Sequence, residues 1–175
     1  ETNQHKDQYF IVNASFGVTA TANWNFNNPG MLLKFLKSHS SAAAIFYTAV
    51  STILAYKQFT CCLKYNNSEM TVAASNINIL KIPFVSGSFW YDQEISLNDG
   101  KLGLCLCKDM DKIDLLKILA QLRRGEFNLG EKTITETIYS FNLTSAQPVI
   151  FECDGETSMA NNVCITIVPK AINVL

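Results

Sequence analysis

The sequence predicts a β-rich α+β domain, a two-sheet antiparallel β-sandwich with two or three helices inserted on one side. Three observations predict it. Roughly seven strand-like runs recur along the 175 residues. Helical apolar periodicity is confined to three segments. The strand–helix–strand alternation that builds a parallel sheet is missing, as are a P-loop and a G-x-G-x-x-G. At 48% apolar residues the chain can fill one core without disulfide staples, so residues 1–175 read as a single domain.

Residues 8–15 (QYFIVNAS) place Tyr9, Ile11 and Asn13 on one face and Phe10, Val12 and Ala14 on the other, which predicts a mostly buried strand broken at Gly17. Residues 24–30 are Asn-rich and end in the turn signal Asn28-Pro29-Gly30. Residues 31–37 (MLLKFLK) read as a short amphipathic helix. A polar joint at 38–41 can cap a second helix at 42–57. That helix is apolar apart from Thr48, Ser51 and Thr52. Its apolar run of about fifteen residues falls short of a bilayer span, so it reads as buried.

Runs at 59–65 and 70–79 flank Asn66-Asn67-Ser68 like a hairpin. Residues 83–88, with Gly87, and 95–100 (ISLNDG) read as loops, and 101–107 (KLGLCLC) as a strand. Residues 111–124 make the clearest helix. Ile113, Leu115, Leu116, Leu119 and Leu122 form its stripe, Arg123-Arg124 suit its C-terminal end and Gly125 stops it. Strands at 133–142, 148–154 and 162–168 close the chain.

Composition excludes several functions. Charged residues make up only 17%, with 14 basic against 15 acidic and a formal charge of −1. Neither a disordered chain nor a nucleic-acid binder has that balance. Six cysteines could suggest a secreted, stapled domain. Cys61-Cys62 is vicinal, however, Cys105 and Cys107 alternate along one strand, and no CxxC occurs. They read as buried reduced thiols in a cytoplasmic protein, peripheral at most to a membrane. The two histidines, His5 and His39, lie far from any cysteine, which argues against zinc and against a Ser/His/Asp triad. The sequons at Asn13, Asn66 and Asn142 are what so much Asn, Ser and Thr yields by chance.

Two acidic turns could carry chemistry. In Ser96-Leu97-Asn98-Asp99-Gly100 the simple reading is an Asp-Gly turn leading into a strand. The functional reading is a hard-cation site, in which Asp99 offers a carboxylate and Ser96 and Lys101 offer carbonyls, a set that suits magnesium. In Phe151-Glu152-Cys153-Asp154-Gly155-Glu156 an apolar strand runs into carboxylates around a glycine. It reads either as a plain turn or as general-base chemistry. In the second case Asp154 sits at a rigid strand end and Glu156 tunes it, an arrangement able to deprotonate an alcohol for phosphoryl transfer.

These stretches together resemble one family. YFIVNASFG at 9–17, SLNDGKL at 96–102, the helix ending in Arg124-Gly125-Glu126 and the late Cys153-Asp154-Gly155-Glu156 match, in order and spacing, the C-terminal half of bacterial lipid kinases of the diacylglycerol kinase catalytic-domain family. The resemblance implies a β-sandwich second domain beside a nucleotide-binding α/β domain whose GGDGT motif is absent from this chain. It implies ATP- and magnesium-dependent phosphoryl transfer to a lipid hydroxyl such as that of diacylglycerol or a sphingoid base, and an isolated half that is inactive. Position by position, Asp154 matches the proposed general base and Glu156 its essential partner, a pattern that leaves either of the two as the proton acceptor, while Asp99, with the carbonyls of Ser96 and Lys101, matches the ligands of a structural magnesium. The chain departs from the family at 91–95, where an Ala-Pro is usual, and at 76–89, where lipid selectivity would differ.

A lipid acceptor needs an apolar cleft with few polar groups at its mouth. The helices at 31–37 and 42–57 are apolar enough to line one, with Phe46 and Ile53 as candidate lining residues, or else they only cover the core. An NAD kinase-like domain is the neighbouring alternative. A non-catalytic binding module, or a dimerisation or lipid-docking surface, is the alternative of another class.

Overall fold

The computed structural model describes residues 7–85, 89–168 and 171. The elements run β1 (Asn13–Gly17), α1 (Val18–Asn27), α2 (Met31–His39), α3 (Ser41–Ala55), β2 (Phe59–Tyr65), β3 (Ser68–Leu80), β4 (Leu102–Lys108), α4 (Lys112–Leu122), β5 (Thr133–Ile138), β6 (Ser140–Cys153) and β7 (Glu156–Thr166). The class is the expected one, β-rich α+β.

The strands, all antiparallel, form one continuous sheet. Two of them share a column. Gly17 of β1 lies opposite Asn76, and Phe59 of β2 opposite Ala74, so β1 and β2 stand end to end between β3 and β6. The three helices α1–α3 are the excursion between these two half-strands. β4 and β5 extend the sheet beyond β3, and β7 extends it beyond β6.

Inward-facing side chains of all seven strands, among them Phe16, Leu63, Ile77, Leu104, Ile138, Phe141 and Ile165, meet in one buried cluster. The sheet therefore curls over its own core, and the two layers of the sandwich are halves of a single sheet. The opposite face of β3 and β4 packs against α4 and α3 through Leu80, Cys105, Cys107, Leu115, Ile118 and Ile53.

Several boundaries differ from expectation, each for a local reason. The strand predicted at 8–15 begins only at Asn13 because the N–H groups of Ile11 and Val12 donate to the Asp154 carboxylate rather than to a ladder. β1 does end at Gly17, and α1, a helix outside the expected set, starts on the next residue. The run at 133–142 divides at Tyr139, whose N–H donates to Asn66 Oδ1 where the chain passes between layers. Pro148 lies inside β6, at the irregularity between Thr144 and Val149, where a missing donor costs no ladder bond. Of the loop expected at 83–88, residues 86–88, including Gly87, lie outside the described residues. No described helix is long and apolar enough to cross a membrane.

All six cysteines are unpaired, with Cys61, Cys105 and Cys107 in the cores. Burial pushes the Cys61 thiol up to about 12 and that of Cys153 to about 11, so neither is a ready nucleophile. The sequon residue Asn13 is buried in β1, its amide bonded to Glu152.

Candidate functional site

Asp154 and Gly155 form the two-residue turn between β6 and β7, closed by the Cys153–Glu156 pair. Their φ values of 48° and 93° are left-handed, which is why an Asp-Gly pair occupies the turn. The Asp154 carboxylate is held by the chain leading into β1, the strand beside β6. Oδ2 accepts from Ile11 N at 2.7 Å, and Oδ1 accepts from Val12 N and Asn13 N at 3.0 Å each. The Asp154 N–H donates to Asn13 O at 3.0 Å. The side chain is thereby oriented, and Oδ2 retains a lone pair for one further donor. Glu156 opens β7 on the exposed edge of the same turn.

Beneath the turn, on β6, stands a carboxylate to which the motif assigned no role. Glu152 is 1% exposed. It accepts from Ser15 Oγ at 2.5 Å, Asn13 Nδ2 at 3.2 Å and Gly155 N at 2.5 Å, tying β1 to the turn. Burial holds its carboxyl above the usual range, against the pull of those donors. A glutamate among Val149, Ile150 and Phe151 was the available sign, since a lone acid in an apolar strand must find donors.

The helical insertion reaches the same turn. Asn27, the last residue of α1, donates through Nδ2 to Gly155 O at 3.0 Å. Beside it lies a groove of about 310 Å³ between α1, α2 and α3, lined by residues that include Asn25, Asn28, Met31, Leu32, Leu33 and Tyr47. The recess has a mixed lining, with Asn25, Asn28, Thr48 and Ser51 beside its apolar side chains, and it lies on the helical insertion that reaches the acidic turn; its lining is not the expected pair of residues. Ile53 is 2% exposed, packed beneath α3 in the second core, and is not free to touch a ligand. Phe46 is exposed on α3 outside the groove lining. Of residues 76–89, where selectivity was expected to differ, 76–80 are the buried end of β3 and 86–88 lie outside the described residues.

The second turn behaves differently. The oxygens expected to hold magnesium do converge, but on an ammonium. Lys81 Nζ donates to Ser96 O at 2.7 Å, Lys101 O at 2.9 Å and Asp99 Oδ1 at 3.3 Å. Burial pulls the Asp99 carboxyl upward, yet the Lys101 N–H and the Lys81 ammonium hold it below its ordinary value. Three ammonium hydrogens meet three acceptors, so a divalent ion on the same oxygens would have to displace Lys81, and the residues present do not fit magnesium. Lys81 also connects the two turns, because its backbone N–H donates to Val12 O at 2.8 Å and Val12 N serves Asp154. A charged residue directly after the buried strand end Ile79-Leu80 was the sequence's sign of such a partner. Among the described residues no three His, Cys, Asp or Glu side chains cluster as a metal centre.

Residues 13–175 match the model of the YegS C-terminal NAD kinase beta sandwich-like domain. The chain belongs to that family. Three solved chains from Bacillus anthracis str. Sterne share its fold. A diacylglycerol kinase superposes with a TM-score of 0.57 at 10% identity over 89% of this chain and 45% of its own. Two others, provisionally described as diacylglycerol kinases, give 0.59 at 14% identity over 91% and 50%, and 0.61 at 12% identity over 93% and 51%. The chain spans about half the length of each. No curated protein sequence is matched.

Proposed function

We propose that this domain is the acceptor-binding, proton-accepting half of a lipid kinase. The observation that carries the reading is the Asp154 carboxylate, fixed by three backbone N–H groups on a turn that α1 touches through Asn27. Membership of the family and the likeness to diacylglycerol kinases in fold support it. A lipid would lie in the groove between α1, α2 and α3 with its hydroxyl towards the turn. The exposed apolar side chains Met31 and Phe35 of α2 would meet the membrane surface from which the lipid comes.

Asp154 Oδ2, with its remaining lone pair, accepts the hydroxyl proton as the acceptor oxygen bonds to the γ-phosphorus and the bond to the leaving ADP oxygen breaks. Glu156, on the same turn, is the partner carboxylate. ATP, with its magnesium, would be held by a nucleotide-binding domain outside this chain.

In the intact protein, Asp154→Asn is expected to lower phosphoryl transfer by about 10²–10⁴-fold while nucleotide affinity survives. Turnover retained in that variant would refute the assignment of the base. Diacylglycerol, a sphingoid base and NAD offered side by side separate the lipid reading from an NAD kinase, and phosphorylation of NAD alone would sink the former.

A further inference from the structure

We infer that Lys81 is a built-in substitute for a divalent cation at the turn carrying Asp99, so that this part of the fold is held without metal. Two backbone carbonyls and a carboxylate aimed at one point need a cation there. Without it, the three oxygens of this surface turn would repel one another and turn to water.

The Lys81 side chain is 13% exposed and delivers its ammonium to that point from the end of β3. The oxygens stand at 2.7, 2.9 and 3.3 Å, distances at which N–H groups donate and well beyond the roughly 2.1 Å that magnesium requires. A magnesium ion drawn onto the same oxygens would sit almost on top of the ammonium, and two cations cannot share the cradle. Asp99 supplies the single negative charge within the set, which one ammonium balances. The Asp99 Oδ1 atom that meets the ammonium also accepts from Lys101 N at 3.0 Å, which closes the turn around it.

The inference goes beyond the proposed reaction and does not depend on the acceptor being a lipid. Its test needs no catalysis. Hydrogen exchange of the segment 95–103 is followed in nucleotide-free protein, in chelator and in millimolar magnesium. For the wild type the two rates should coincide. In Lys81→Ala, whose short side chain vacates the cradle, exchange in chelator should be about tenfold faster and magnesium should slow it. Slower exchange of the wild-type segment in magnesium would overturn the inference, as would a Lys81→Ala segment that exchanges like the wild type. If Lys81→Ala does not fold, the wild-type pair of measurements decides alone.

Discussion

Glu152 shows how one side chain can bind two parts of a site and still cost the fold something. It donates nothing and accepts from Asn13, Ser15 and Gly155 at once, so its removal would orphan three donors at the junction of β1 with the Asp154 turn. Glu152→Ala should therefore destabilise by about 2 kcal/mol or more. The charged form is nevertheless disfavoured by burial, and its folded pKa lies above that of the unfolded chain. Between those two values the native state binds more protons than the unfolded state, so stability from this group falls as pH rises through the raised value and returns on acidification. Asp99 and Asp114 act the other way, as their lowered pKa values place their losses at more acid pH. Glu152→Gln keeps an acceptor for Gly155, and Ser15 and Asn13 can reorient towards its amide. Urea midpoints at pH 5 and pH 7.5 should then differ less in Glu152→Gln than in the wild type. An equal pH dependence in the two proteins would remove Glu152 from this account.

At the next scale, the join between β1 and α1 has no loop to absorb strain. Gly17 takes φ 84° and ψ −134°, and a Cβ there would lie 2.4 Å from the Ser75 carbonyl oxygen. Gly17→Ala must shift β1 or β3, and about 3 kcal/mol of lost stability in urea unfolding is the expected result. A variant as stable as the wild type would show that the join is slack. The same join explains what was legible in the sequence. The helix α4 announced itself through its apolar stripe and the Asp111–Asp114 capping box, both local features. The helix α1, VTATANWNFN, carries β-branched and Asn residues that favour other conformations. It is held by distant partners, Asn76 Oδ1 at its first turn and Thr52 on α3. The Asp154–Gly155 turn could be read because its chemistry lies in two adjacent residues. The Lys81 cradle was legible only as a charge placed directly after the buried Ile79-Leu80, and not as a partner of Asp99, because the cation arrives from 15 to 20 residues away. The lining of the groove was misassigned because α3 is apolar nearly all round, and only packing decides that Ile53 points inward and Tyr47 towards α1 and α2.

Across the whole molecule, the shared column of β1 and β2 makes the two halves of the proposed site meet. The chain leaves the sheet after Gly17, builds three helices and returns at Phe59. The groove is thus tethered at one end to β1, whose preceding residues Ile11 and Val12 hold Asp154, and at α1's end to Gly155. An acyl chain in that groove would displace water from Leu32 and Met31, which are 55% and 90% exposed. Leu32→Asp should be tolerated by the fold, since the side chain is on the surface, yet it would put a charge where the acyl chain lies. Loss of one leucine-sized contact, roughly 1.5–2 kcal/mol, corresponds to a KM for lipid raised about tenfold or more in the intact protein. The KM for ATP should not move, because the proposed arrangement puts the acceptor, and not the nucleotide, in the groove. Phe46→Asp, on α3 outside the groove, serves as the comparison and should leave the lipid KM within about twofold. If both variants raise it equally, the helices act as a general membrane-facing surface rather than as a groove. If neither does, the acceptor binds elsewhere on the domain.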